Sequence, residues 1–350
     1  MSEISLKNKK VLIIGGTNKV LQMACKNFIK KGCSRVTLLC LHKDETLNFG
    51  DNSNIDVIYG DIHYLNSKEL SVAMMFHNYL VIASSKTTKR GIVNENVDNY
   101  YFERNIEDTE NLLRIAKICK IEKVLILGTH YCAMDRKYPE LRLSEHHSYI
   151  KNRIEQEEMA INNSSNRLEI MTLELPYILG RNFQMTELFN TVGLQIVTNK
   201  PVPYFEGGGT FCTMEDAAQA IVNIFEIGEQ AKVYTLSTMN LTWEQIIKEA
   251  AKYYGSTSKF VKIGPIRLAK LMHKFKRQND KHGIDTGINL MQYPKLILKE
   301  EKFDTYRICT MLKLKSASDW KTEVHKTVDY VKGKLEDDVI VRGKKPINFF

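Results

Sequence analysis

The chain has 350 residues, 43% apolar and 26% charged. That is the make-up of a folded globular protein and excludes collagen-like, coiled-coil and fully disordered chains; the length admits two domains, or one large domain with a lobe. The net charge is +9, yet residues 251–300 alone hold eleven Lys/Arg against three Asp/Glu, so the excess predicts a local basic surface and not a cationic coat for nucleic acid. No stretch reaches the ~18 uninterrupted apolar residues of a membrane span. Residues 1–10 are polar and lysine-bearing, unlike a secretory signal. The seven cysteines are scattered and lack C-x-x-C spacing, which points to a reducing cytoplasm, with no disulfide framework and no metal site expected.

Taken in chain order, the first half alternates two periods. Val11-Leu-Ile-Ile14 is a short apolar run ending at Gly15-Gly16, followed by a helical pattern over 20–31 with a stop at Gly32. Further apolar runs sit at 36–40, 56–59, 79–82 and 124–127, with helical patterns between them, clearest over 105–118. Short continuous apolar strands alternating with helices predict an α/β fold, a doubly wound parallel sheet buried on both faces. The second half is less regular. Strands are expected at 171–174 and 233–236, a turn at Gly207-Gly-Gly209, and helices over 215–225, 242–254, 266–281 and 322–335, with a loose tail from Glu336. The expected division is a Rossmann-type domain over 1–180 that also receives 211–238, a smaller α/β substrate lobe from 181–210 and 239–335, and the tail 336–350.

The first strand-turn-helix is the setting in which a glycine loop cradles a pyrophosphate at a helix N-terminus. Gly15, Gly16, Thr17, Asn18, Lys19 and Val20 form it. The spacing G-x-x-G-x-x-G would put glycines at 18 and 21, where Asn18 and Leu21 stand. Asparagine tolerates positive φ, which would preserve the turn. Leu21 replaces the glycine that lets helix and strand approach closely.

Other segments resemble the extended short-chain dehydrogenase/reductase family, the NAD-dependent epimerases and dehydratases. Gly60-Asp61-Ile62 is similar to the element after that family's third strand, where the Asp meets the adenine. Residues 105–113 resemble its N-V-x-G-T-x-N-L-L helix, and 121–127 its V-K-R-F-V-Y-V strand. Thr213-Met-Glu-Asp-Ala-Ala218 resembles its H-V-D-D-V-A turn, and Phe303-Asp-Thr305 its F-D-T/S. The resemblance implies a Rossmann sheet with a substrate lobe, a homodimer through helices near 100–118 and 149–163, and dinucleotide contacts from Asp61, Ile62, Ala83, Ser84 and Asn105. It also places cofactor choice at the end of the second strand. There Cys40 replaces an acidic residue and His42 and Lys43 follow, which leans towards NADP over NAD.

The resemblance implies a catalytic Ser/Thr behind the strand that ends at Leu127, where Gly128-Thr129 replaces Ser-Ser. It also implies a Tyr-x-x-x-Lys pair at i and i+4 on one helix face. The match is Tyr149-Ile-Lys-Asn-Arg153, with Glu157 following as in Y-x-x-S-K-x-x-x-E and Glu174 where the family usually has Arg. A cation beside the tyrosine should lower its pKa towards neutrality, though a guanidinium fork does not reproduce a point ammonium. Lys151 points elsewhere on the helix. His146 and His147 are expected in a solvated loop. An acid pair behind the threonine would signal dehydration; Ala133-Met134-Asp135 offers none.

Two readings therefore stand. In one, Thr129, Tyr149 and Arg153 serve an NAD(P)-dependent oxidoreductase or epimerase acting on an anionic substrate, a nucleotide sugar first. In the other, a catalytically impaired member acts as a binding or scaffold protein. The amphipathic helix over 266–281 sets Leu268, Leu271, Met272 and Phe275 on one face and Arg267, Lys270, Lys274 and Arg277 off it. The basic segment 262–281 suits a nucleotide-sugar diphosphate, a phosphopantetheine carrier protein, an acidic membrane surface or RNA, although it lacks aromatics for base stacking.

Overall fold

A computed structural model describes residues 5–43, 47, 49, 53–83, 92–93, 95–181, 186–197, 200–314 and 319–342. The strands are β1 (Lys10–Ile14), β2 (Arg35–Cys40), β3 (Ile55–Tyr59), β4 (Tyr79–Ile82), β5 (Ile92–Val93), β6 (Lys123–Thr129), β7 (Glu169–Leu175), β8 (Tyr177–Leu179), β9 (Val202–Tyr204), β10 (Gly208–Thr213), β11 (Val233–Thr235), β12 (Met239–Thr242), β13 (Phe260–Lys262) and β14 (Ile284–Asp285). The helices are α1 (Lys19–Lys30), α2 (Ser67–Met74), α3 (Val97–Tyr101), α4 (Asp108–Ile118), α5 (His130–Lys137), α6 (Leu143–His146), α7 (Ser148–Asn162), α8 (Thr186–Val197), α9 (Met214–Ile227), α10 (Trp243–Tyr253), α11 (Pro265–Lys281), α12 (Tyr293–Ile297), α13 (Thr305–Met311) and α14 (Trp320–Arg342). A π-helical turn, Phe102–Glu107, joins α3 to α4.

Seven strands form one parallel sheet in the order β11-β7-β6-β4-β1-β2-β3. Strand period 2 sends alternate residues to opposite faces. Val11, Ile13, Tyr79 and Val81 join the core under α1 and α9, while Leu12, Ile14, Leu80 and Ile82 join the core under α2 and α4. Burial on both faces explains why these strands read as unbroken apolar runs. The chain order reverses between β1 and β4, which opens a crevice at the carboxyl ends of the strands.

A three-stranded sheet, β12-β10-β8, packs with α8, α10 and α14 around a third core containing Phe189, Phe211 and Trp243. Two sequence expectations change here. Gly208 and Gly209 lie inside β10, not in a turn, because a Cβ would sit 2.5 Å from the Leu241 carbonyl oxygen and 2.8 Å from the Tyr177 ring. The last helix continues past Glu336 to Arg342, where a loose tail was expected.

α9 seals the sheet through Phe225, which is fully buried. Its ring stacks 5.0 Å from Tyr79 and meets Phe28 edge-on at 5.6 Å. Phe225→Ala should lower unfolding free energy by about 3–5 kcal/mol, read from urea midpoints, because rigid neighbours cannot close the void.

Candidate active site

The crevice between β1 and β4 holds a cleft of about 250 Å³. The loop residues Gly15, Thr17 and Asn18, the Gly60-Asp61-Ile62 turn, Ala83, and Arg104 with Asp108 all line it. Gly15 has φ +99°, and a Cβ there would lie 3.0 Å from the Ala83 carbonyl oxygen, so the loop requires glycine. Asn18 does not take the left-handed conformation expected of it. Its φ is −72°, and as N-cap of α1 its side chain accepts from the Val20 backbone N–H at 2.9 Å. Leu21 is fully buried in the core beside the sheet, so the helix is anchored by packing where a glycine contact was expected. Lys19 is exposed, its ammonium 4.9 Å over the Tyr330 ring.

Asp61 pairs with Arg104 at 3.6 Å, and its carboxylate accepts from the His63 backbone N–H. Arg104 lies against the Tyr64 and Tyr100 rings, and Asp108 meets His63 at 3.0 Å. Sequence reading missed Arg104 and Asp108, because only the fold carries the π-helical turn to the Asp61 end of the crevice. Asn105, on that turn, is fully buried, and neither amide atom has a partner. His42 and Lys43 are exposed behind β2, whose last residue, Cys40, is buried. Ser84 lies outside the described residues.

Thr129 ends β6 and caps α5. Tyr149, one residue into α7, is buried, with Arg153 and Thr129 among the groups close enough to act on its hydroxyl. Arg153 lies one turn on, buried, donating from its guanidinium to the Leu127 carbonyl, with Nε unpartnered. Burial raises the Tyr149 pKa above the ordinary tyrosine value; Arg153 and Thr129 oppose this without reversing it. The expected downward shift is therefore absent, because desolvation outweighs one cation.

A further segment covers the tyrosine. The Gly287 carbonyl accepts from the Tyr149 backbone N–H at 3.0 Å, and the Tyr101 hydroxyl donates to the Thr286 carbonyl at 3.0 Å. His147 is buried, not solvated, and its Nδ1 accepts from the Asn289 backbone N–H at 3.0 Å. Burial lowers the His147 pKa to about 4, which keeps Nδ1 free to accept. Gly287 has φ +67°, and a Cβ would strike the Tyr101 ring at 2.4 Å.

A sequence model of the NAD dependent epimerase/dehydratase family matches residues 11–237. The chain belongs to that family. No curated protein matches it in sequence. Among solved structures, gox2253 shares 16% identity, covering 93% of this chain and 99% of its own, with TM-score 0.70. Epimerase Mth375 from Methanothermobacter thermautotrophicus shares 13% over 96% of each chain, with TM-score 0.69. UDP-glucuronic acid 4-epimerase from Bacillus cereus, in complex with UDP-glucuronic acid and NAD, shares 15% over 93% of this chain and 99% of its own, with TM-score 0.67.

The departures of this epimerase/dehydratase-family chain from the expected pattern are spatial neighbours. Gly128 and Glu174 face each other in the β6–β7 register, and a Cβ at 128 would lie 3.3 Å from the Glu174 Cγ. Arg136 bridges both buried carboxylates, reaching Glu157 and Glu174 at 2.7 Å each, and Thr235 donates to Glu174 at 2.5 Å. The cation that the pattern carries on β7 is thus supplied from α5. Among the described residues, Cys132, Glu157 and Glu174 are close enough to share a metal ion, but Arg136 already engages both carboxylates.

Directly behind Thr129 stand His130 and Tyr131, ahead of Ala133-Met134-Asp135. His130 is buried, with Nδ1 3.3 Å from the Leu175 carbonyl and Nε2 3.6 Å from Glu301. The Tyr131 and Tyr177 hydroxyls bond at 2.9 Å. Glu301 arrives from far along the chain, so no local motif announces it.

Burial and the Glu174 charge push the Glu157 carboxyl up to about 7. A carboxyl raised in the folded state binds its proton more tightly there, so its contribution to stability falls as pH rises from about 5 to about 7. Glu157→Gln should lack this dependence: its stability relative to the parent should increase across that window and level off above it, by chemical denaturation at each pH. Arg136→Ala, which strands two buried carboxylates, should cost about 2–3 kcal/mol at neutral pH.

Proposed function

We propose that this chain is a nicotinamide-dinucleotide-dependent oxidoreductase or epimerase acting on a hydroxyl or carbonyl of an anionic substrate, a nucleotide sugar first. The observation that carries the reading is the buried Tyr149 hydroxyl within reach of Thr129, with Arg153 one turn away on the same helix. The Bacillus cereus neighbour's pairing of NAD with UDP-glucuronic acid supports the substrate class.

The residues present fit a dinucleotide. The Gly15 loop is held tight against Ala83, the first turn of α1 and the Lys19 ammonium suit phosphate, and the unpartnered Asn105 amide calls for a polar group. Gly16, Thr17 and Val20 complete the loop, with Asp61 and Ile62 at the adenine end. The bound dinucleotide supplies a hydride acceptor or donor. Thr129 holds the substrate oxygen, Tyr149 takes or returns its proton, and Arg153 stabilises the phenolate. His42 and Lys43, without a carboxylate at the end of β2, favour NADP.

Calorimetric titration of the full chain with NAD(H) and NADP(H) tests the cofactor. Measurable heat with either is expected, and none with both overturns the reading. With UDP-glucuronic acid as substrate, Tyr149→Phe should lower turnover ~10²–10⁴-fold while dinucleotide affinity stays within about twofold. Turnover of Tyr149→Phe equal to the parent's would remove Tyr149 from the chemistry.

The raised Tyr149 pKa gives a second expectation. Oxidation needs the phenolate, so its rate should climb with pH throughout the neutral and alkaline range. Reduction uses the phenol and should be flat across neutrality. Arg153→Gln should move the oxidation profile to still higher pH, because it removes the cation that opposes burial. A pH–rate series in both directions checks this.

One observation favours the binding-protein alternative: the Arg153 guanidinium is tied to the Leu127 carbonyl. If dinucleotide binds and no substrate turns over, that reading replaces catalysis.

A further inference from the structure

Helix α11 carries a surface that the dinucleotide site does not use. Its buried residues are Leu268 and Met272. At 3.6 residues per turn, Arg267, Lys270, Lys274, Arg277 and Lys281 fall on the opposite half, and all five are exposed. None has an ion-pair partner among the described residues, whereas neighbouring Lys276 pairs with Asp280 at 2.7 Å and Lys262 with Glu206. The stripe is about 21 Å long at 1.5 Å per residue.

Apolar groups stand beside this charge. Ile266 shares the outward face and is 76% exposed; Phe260 and Val261 on β13 are 38% and 36% exposed. Val261 also lines, with Arg267, Lys270 and Lys274, a cleft of about 600 Å³ floored by Pro203 and Leu271, with no carboxylate in its wall. A straight row of unpaired cations beside exposed apolar groups fits an extended anionic plane with an apolar layer beneath it. Nucleic acid would instead be served by several aromatic faces for the bases; no Phe, Tyr or Trp lies in the stripe, and the Phe260 ring beside it is faced by the Lys248 ammonium at 5.7 Å.

We propose that α11 and the tip of β13 dock this protein on an acidic phospholipid surface, with the five cations against headgroup phosphates and Ile266 and Val261 in the boundary below. This goes beyond the proposed reaction and does not depend on it. The attraction should be screened by salt, since headgroup charge acts within a Debye length.

The test is co-sedimentation of the full chain with phosphatidylserine/phosphatidylcholine vesicles, with phosphatidylcholine alone as the control. Binding is expected only with phosphatidylserine and should weaken as salt rises. The variant carrying Lys270→Gln, Lys274→Gln and Arg277→Gln should partition about a hundredfold less, from ~1 kcal/mol per cation. Ile266→Ser should lose about tenfold, from a partly buried side chain. Both variants change exposed positions, so their unfolding midpoints should match the parent's. Absence of phosphatidylserine-dependent binding overturns the proposal, as does unchanged partition of either folded variant. Binding of short single-stranded RNA with none to vesicles also overturns it and assigns the stripe to nucleic acid.

Discussion

A parallel sheet buried on both faces leaves its chain almost nowhere to place chemistry except the rim. Val11 to Ile14 and Tyr79 to Ile82 have no exposed face to offer, so the polar groups of the crevice come from the loops at the carboxyl ends of the strands and from the helical turn that carries Arg104 and Asp108 over them. The reversal of strand order between β1 and β4 then separates those loops and fixes where a ligand can enter. Gly15, Asp61 and Ala83 line one cleft for this reason, though they lie far apart in sequence.

The end of β6 shows how one departure from a family pattern can compel others. A Cβ at 128 would meet the Thr172 Cγ2 at 3.1 Å and the Glu174 Cγ at 3.3 Å, and the Glu174 carboxylate would repel Glu157 without a cation between them. Arg136 supplies that cation from α5, half-exposed but anchored to both carboxylates. Arg153, next along the same surface, spends part of its guanidinium on the Leu127 carbonyl. Seen singly in sequence, Gly128, Arg153 and Glu174 read as decay. In space they are one repacked, charge-balanced neighbourhood around Thr129 and Tyr149.

The protein also separates its two kinds of positive charge. Arg104, Arg136 and Arg153 are each engaged near the crevice or the tyrosine by carboxylates, aromatic rings or a carbonyl. The lysines and arginines of the outward face of α11 have no such partners among the described residues. Engaged cations organise an interior, while unengaged ones leave a field that reaches solvent.

The sequence alone determined the alternation of strand and helix, the glycine loop, and the tyrosine and cation one helical turn apart. These are local: period 2, period 3.6, and turn chemistry act within a few residues. It also located the basic helix, because amphipathicity is a local pattern. Asn18 caps a helix through an N–H two residues on, which is chemistry of the same local kind. The rest was left to the tertiary structure. It decided that Gly208 and Gly209 lie in a strand, because Leu241 and Tyr177 approach from other elements. It brought the 286–289 segment over Tyr149 and Glu301 to His130, contacts that bridge more than a hundred residues of chain. And it decided the sign of the Tyr149 pKa shift. Spacing could place the cation, but only packing sets how much water the phenol loses, and there the loss of water outweighs the cation.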